Sequence, residues 1–218
     1  MSQFQANKFN VAWFKLAEFV GRKEKERALG VYRLLVHSLP EESLAAQLEG
    51  DLLLAFNDIK ALECYVRAAG LYERDGKIIQ AIAIREHCTL LDADAQEEHF
   101  AHLVKLYAQI NDAVKMARSL NNLIKYLIGK DRFGRALEII NETTLSADQK
   151  CAAYEFFVCE FLRCRIFNKI TLGEPLDFII NEFKSHKADA RIMPFLGALS
   201  VLSADAHDYV FAALTSNN

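Results

Sequence analysis

Proline occurs three times and glycine nine times in these 218 residues, so few positions force the backbone out of a helix. Several of them, Gly21, Pro40, Gly76 and Gly129 among them, fall where an apolar periodicity stops, as expected of punctuation between helices. Strict apolar–polar alternation is rare, which argues against a sheet. Cysteine is odd in number, at five, and lacks the spacing of a disulfide framework, so reduced thiols are expected.

Long apolar runs are missing too. The stretch over 152–167 is interrupted by Glu155, Glu160 and Arg163, and the one over 192–202 is too short, so no membrane span is expected. The first seven residues show no basic segment followed by an apolar run. No secretory signal is visible there, and the cytoplasm is the expected compartment.

Neither charge sign dominates. Residues 1–110 carry 13 basic and 16 acidic side chains, and residues 111–218 carry 13 of each, so no basic half points to nucleic acid as a partner. No phosphate-binding glycine loop, paired-glycine fingerprint or Gly-x-Ser-x-Gly elbow is found. Acidic pairs such as Glu41-Glu42 and Glu97-Glu98 sit at expected helix starts, where the helix dipole accounts for them. Chemistry has no residue to rest on, so the expectation is a protein that is not an enzyme and takes no cofactor.

What the chain does have is a beat. Breaks in the helical pattern fall at Gly21, Asn57, the Ala93-Asp94 step and Gly129, 36 residues apart, and a second set at Pro40, Gly76, Asn111 and near Leu145 interleaves with them. A break every 17 to 19 residues is the signature of paired antiparallel helices. With 52% apolar residues a sizeable core is available. Helices are expected over 6–20, 23–38, 41–56, 58–75, 77–91, 95–109, 112–128 and 131–143, each marginal alone and stabilised by burying an apolar stripe. Beyond Leu145 the beat weakens. A ninth helix over 146–167, opened by a Ser146 cap, is apolar nearly all round and so expected to be buried on several sides. A linker over 168–173 leads to a helix begun at Pro175 and running to 186, and two more follow over 190–203 and 205–215, the first of them bent or begun at Pro194. The domain reading is helical repeats over 1–145 and a C-terminal helical cap over 146–218.

The segment Ala69-Gly70-Leu71-Tyr72 through Gly76 to Ala81 resembles the centre of a tetratricopeptide repeat: a small residue, an aromatic three later, a turn, then a small alanine. Asn121 to Ala136, with Gly129 and Phe133, matches again, and Leu16, Phe19, Gly21, Ala28, Tyr32 and Pro40 match more weakly. The resemblance covers residues 6 to 145. The period of 36 and the single tryptophan, Trp13, also fit a looser relative such as the membrane-fusion attachment proteins. Close helix approach would use Ala28, Ala81 and Ala136, while Tyr32 and Tyr72 fill gaps between hairpins. The family implies an all-α solenoid, a right-handed superhelix whose concave groove holds a peptide or helical segment of another protein.

If odd-numbered helices line that groove, the family's groove positions map to Asn10 and Trp13, to Gln80 and His87, and to Arg118, Asn121 and Lys125. If even-numbered helices line it, Glu63, Glu73 and Arg74 are exposed there instead. The first phase is favoured because Arg118, Asn121 and Lys125 share one helical face; with Asn122 they could grip a carboxylate or a peptide backbone. His87, Cys88, His99 and His102 gather around one helical connection in the sequence, but without paired Cys-x-x-Cys spacing no metal is expected. Cys151, Cys159 and Cys164 read as core residues. Trp13 with Phe14, and the aromatics from Tyr154 to Phe167, exceed what a two-helix seam needs; terminal helices, a partner or a second copy of the chain could cover them. The expected function is a protein-interaction module or adaptor. The alternative is a secretion or assembly chaperone that shields an apolar client segment.

Overall fold

A computed structural model describes residues 3–39, 41–186 and 190–216, with side chains from residue 11 onward. The described residues form twelve α-helices and no strand. The chain divides into two compact units, Met1–Ile110 and Asn111–Asn218.

The first unit holds α1 (Gln3–Gly21), α2 (Lys25–Val36), α3 (Glu42–Ala55), α4 (Lys60–Arg74), α5 (Ile78–Leu91) and α6 (Gln96–Gln109), each packed on the next. One part of its core gathers Leu16, Ala28, Tyr32, Leu35 and Leu52, with Phe19, Val36 and Phe56 packed at its edge. Ala28 and Ala81 have no exposed surface, as close helix approach requires. Buried tyrosines fasten helix to helix through their hydroxyls. Tyr32 donates to the Ala45 carbonyl at 2.9 Å, joining α2 to α3; Tyr72 donates to Gln47 at 2.8 Å, joining α4 to α3; and Tyr107 donates to Glu86 at 2.5 Å, joining α6 to α5.

The turns follow from local chemistry. Lys23, Asn57 and Gly76 adopt left-handed backbone angles (φ 59°, 54° and 71°). At each, two N–H groups fold back onto the last helical carbonyls, as in Lys77 N–H to Tyr72 O at 2.9 Å and Gly76 N–H to Glu73 O at 3.1 Å. Gly21 ends α1, but the left-handed residue lies two positions on, at Lys23. Successive turns are then tied to one another. Lys23 Nζ donates to the Ala55 carbonyl at 3.0 Å, Lys25 pairs with Asp58 at 2.5 Å, and Lys77 pairs with Glu41 at 2.5 Å. The break expected at Pro40 lies outside the described residues.

The second unit holds α7 (Ala113–Gly129), α8 (Phe133–Glu142), α9 (Ala147–Cys164), α10 (Lys169–Ser185), α11 (Ile192–Leu202) and α12 (Ala204–Thr215). Here α7 packs on α8 and α9; α9 packs also on α8, α10 and α11; and α12 packs on α10 and α11. The all-round apolar ninth helix is thereby covered, with Tyr154, Phe157 and Val158 buried, and Ala136 of α8 is fully buried as well. Ser146 caps α9 in a reciprocal box: its Oγ accepts from Gln149 N at 3.2 Å while Gln149 Oε1 accepts from Ser146 N at 2.9 Å. Bonds at the spacing of the beat continue past Leu145. Arg165 binds Asp131 between the α9–α10 and α7–α8 turns, and Asn141 of α8 donates to Glu174 of α10 at 3.5 Å.

Two expectations need correction. Residues 168–173 are not a linker, because Asn168 accepts from Ile170 N at 2.9 Å and so starts α10 at Lys169, leaving Pro175 buried inside the helix. Cys164 is not a core residue; it ends α9 and is exposed, while Cys151 is buried and Cys159 half-buried.

Candidate interaction face on α7 and α9

The sequence of α7 contains Lys115, Arg118 and Lys125 and no acidic residue. Its apolar stripe of Leu120, Leu123, Ile124, Leu127 and Ile128 is buried, which leaves Arg118, Asn122 and Lys125 on the outer face. Asp112 caps the helix by accepting from Lys115 N at 3.0 Å. Arg118 and Lys125 make no ion pair among the described residues.

Beside them the packing of α7 on α9 leaves a shallow pocket of about 110 Å³. Buried Met116, Leu120 and Ala153 form its floor, and exposed Ala117 and Ala152 stand at its rim with Leu145 from the α8–α9 connection. Half-buried Asn121 and Gln149 supply its polar groups, one from each helix. The volume suits one medium aliphatic side chain, and the two amides can each donate to and accept from a backbone. The acids on the neighbouring helix are occupied: Glu155 accepts from Cys151 at 3.4 Å and lies 3.7 Å from Arg191, and Glu160 is bonded by Arg163. The pocket is thus mainly apolar, and the helix that supplies its Met116, Leu120 and Asn121 also carries the exposed Arg118 and Lys125.

The other candidates are placed as follows. Gln80 of α5 is exposed, and Trp13 of α1 is partly exposed beside a largely exposed Phe14. The Asn10 side chain lies outside the described residues. His87 is half-buried and meets the Tyr65 ring edge-on at 4.9 Å. Of the even-helix alternatives, Glu63 is exposed, whereas Arg74 is drawn to Asp75 (3.2 Å) and Glu42 (3.4 Å) and Glu73 points into the α4–α5–α6 seam. There Glu73 pairs with buried Arg85 at 3.3 Å and with His102 at 3.6 Å, while Glu98 lies 3.7 Å from Arg85. Burial and the Arg85 charge depress the proton affinity of His102.

The histidines and thiol of the α5–α6 connection do not converge. His99 is fully buried with Nε2 3.5 Å from Asp92, His102 faces Glu73, and Cys88 is sealed in the core. Among the described residues no three His, Cys, Asp or Glu side chains are grouped closely enough to hold a metal ion. Burial pushes the Cys88 and Cys159 thiols up to about 11 and Cys151 up to about 12, with Glu155 adding to the last, so none of them supplies a thiolate at neutral pH.

Of the residues that sequence reasoning singled out on α7, Arg118, Asn121 and Lys125, only Asn121 lines the pocket; Met116, Leu145, Gln149 and Ala152, which also line it, were not singled out. A signal was present, since Met116-Ala117 and Cys151-Ala152 are 35 residues apart, one beat along the chain. No helix among the described residues is long and apolar enough to cross a membrane. No protein-family model matches the chain, and no curated protein matches it in sequence.

Proposed function

We propose that this is a non-catalytic protein-interaction module of tetratricopeptide-like helical repeats, which holds a peptide or helical segment of another protein on the face shared by α7 and α9. The observation that carries the reading is the apolar pocket between α7 and α9, on a helix whose exposed Arg118 and Lys125 make no ion pair among the described residues. A partner would seat one aliphatic side chain over Leu120 and Met116, lay its backbone along Asn121 and Gln149, and place carboxylates near the two cations.

The repeat architecture is supported by bonds that return at the same interval: Lys25 with Asp58 at 33 residues, Lys77 with Glu41 at 36, Asp131 with Arg165 at 34 and Asp177 with Tyr209 at 32. A stack of hairpins makes such bonds because each pair of helices repeats the position of the last. The odd-helix phase is favoured because Glu73 and Arg74 are engaged within the fold while Arg118 and Lys125 are not.

The test is affinity capture by the full chain, comparing wild type with Arg118→Glu plus Lys125→Glu and with Ala152→Phe, which fills the pocket rim. Loss of the same specific partner in both variants, at unchanged helicity, is the expected result. Capture that ignores both changes sinks the assignment.

A further inference from the structure

We propose that the exposed face of α11 joins two copies of this chain through a two-fold contact centred on Gly197. Helix α11 packs on α9 and on α12, and its inner side, Phe195, Leu196 and Leu199, is buried. Its outer side carries Met193, which is 75% exposed, then exposed Gly197, then Val201, which is 85% exposed, with exposed Pro194 and Ser200 beside them. Met193, Gly197 and Val201 recur at four-residue steps and so form one stripe. No charged residue occurs between Ile192 and Leu202. The charges at its borders are Arg191, which donates to Asp148 at 3.2 Å and lies 3.7 Å from Glu155, and on α12 the exposed Asp205 and Asp208, the latter 3.0 Å from His207.

The fold itself has no use for Gly197. A β-carbon there meets nothing within 4 Å, and glycine weakens a helix relative to alanine. A missing side chain in mid-helix lets another backbone come close, and here the chain supplies none. Gly30 and Gly70 are equally open, but one turn away stand the exposed charges Glu26 and Arg74. At Gly197 the neighbours one turn away on both sides are bare and apolar.

The occupant that fits is a second copy. The stripe reads alike from either end, with a large apolar side chain four residues before Gly197 and another four residues after it. Two such helices laid antiparallel set glycine against glycine and Met193 of each against Val201 of the other, so the patch complements itself as an isologous contact requires. Two neutral stripes bury no charge on meeting, in keeping with the charge-poor centre of interfaces. The ends are complementary too. Helix α11 begins without a side-chain cap and without an acid in its first turn, so its dipole leaves that end positive. The same pairing sets Arg191 opposite Ser203 of the second copy, two residues from Asp205, which makes no ion pair among the described residues. No residue of the α7–α9 pocket takes part, so this contact and the peptide-binding face stand or fall separately.

The experiment is sedimentation equilibrium of the full chain. One helix pair is a small interface, so a monomer–dimer equilibrium with a Kd of about 10–100 μM is expected. Met193→Glu plus Val201→Glu should weaken it at least about tenfold, since each change puts an unpaired charge into the contact. Gly197→Leu should weaken it by at least about as much, yet leave the thermal midpoint of dilute, monomeric protein no lower than wild type, because the side chain enters open space in the monomer and blocks the approach in the dimer. Cross-linking in a Cys164→Ser background reads the geometry. Gly197→Cys should oxidise to a dimer with itself. Met193→Cys should do so only when mixed with Val201→Cys, because the two Met193 positions lie about 12 Å apart along antiparallel axes, too far for a disulfide. The proposal is overturned by a chain that stays monomeric up to about 500 μM, by association indifferent to Gly197→Leu or to the double glutamate change, or by Met193→Cys that cross-links to itself more readily than to Val201→Cys.

Discussion

The ring of Tyr65 lies against the backbone of Gly50 so closely that a β-carbon at position 50 would stand 2.9 Å from two of its ring carbons. The ring cannot step aside, because Tyr65 is buried and its hydroxyl donates to Asp51 at 2.7 Å. Helices α3 and α4 can come this near only because position 50 has no side chain.

Gly50→Ala should therefore destabilise the first unit by about 1–3 kcal/mol, the cost of overpacking exceeding the helix-propensity gain of about 0.5–1 kcal/mol. Gly70→Ala on α4 is the control, since a β-carbon there meets nothing within 4 Å and should stabilise by about 0.5–1 kcal/mol. Urea unfolding of both variants decides it. A Gly50→Ala protein as stable as wild type would refute the close approach.

Asp92 gives stability a dependence on pH. Its Oδ1 accepts from Ala95 N and Asp94 N, both at 3.0 Å, and these bonds, with His99 alongside, hold its carboxyl below the usual 3.8. A depressed folded value means the unfolded chain binds the proton more readily. The contribution is therefore full above the unfolded value and is lost as pH falls through the folded one. Asp92→Ala should cost about 1–2 kcal/mol at neutral pH, and the gap from wild type should close as pH drops below about 3.8. Denaturant melts across that range would show it; a gap constant with pH would contradict the assignment.

The five thiols should separate cleanly by reactivity. Cys164 is exposed at the end of α9, whereas Cys64, Cys88 and Cys151 are buried and their thiols are pushed up by burial. A soluble aromatic disulfide reagent near neutral pH should give one fast equivalent, a slow one from half-buried Cys159, and three more on denaturation. Cys164→Ser should abolish the fast phase alone. Rapid modification of Cys88 in the native protein would contradict the packing of α5.

Much of the fold was legible because helix ends and apolar stripes are local properties. Ser146 with Gln149, the left-handed Gly76 and the small Ala28, Ala81 and Ala136 could each be read from a few neighbouring residues. Other features resisted for equally physical reasons. Lys23 and Asp131 take left-handed angles that usually signal Gly or Asn, with Gly21 and Gly129 two positions earlier as decoys. Pro175 looked like a helix start because proline favours one, yet the Asn168 cap seven residues earlier begins the helix instead. The candidate face divides the same way. Arg118, Asn121 and Lys125 follow from helical spacing on α7, while Gln149 and Ala152 depend on how α9 is turned, which its packing against α7, α8, α10 and α11 fixes.

The position where the chain can be cut is the last expectation to follow. The repeat pattern weakens near Leu145, but α9 packs on α7 and α8, with Phe161 meeting the Phe133 ring at 4.9 Å and Tyr154 donating to Asn141 at 2.8 Å. Cutting between 145 and 146 would strip cover from the buried faces of both α7 and α9, including Leu120, Leu123, Phe157 and Phe161. Each fully buried aliphatic or aromatic side chain so exposed forfeits about 1.5–3 kcal/mol, so four of them lose an amount comparable to the roughly 5–15 kcal/mol that holds a domain together. A fragment of residues 111–218 should therefore show a cooperative thermal transition by circular dichroism, and a fragment of 146–218 should not. Cooperative unfolding of 146–218 alone would mean that α9 to α12 form a self-sufficient core and that the contacts with α7 and α8 are dispensable.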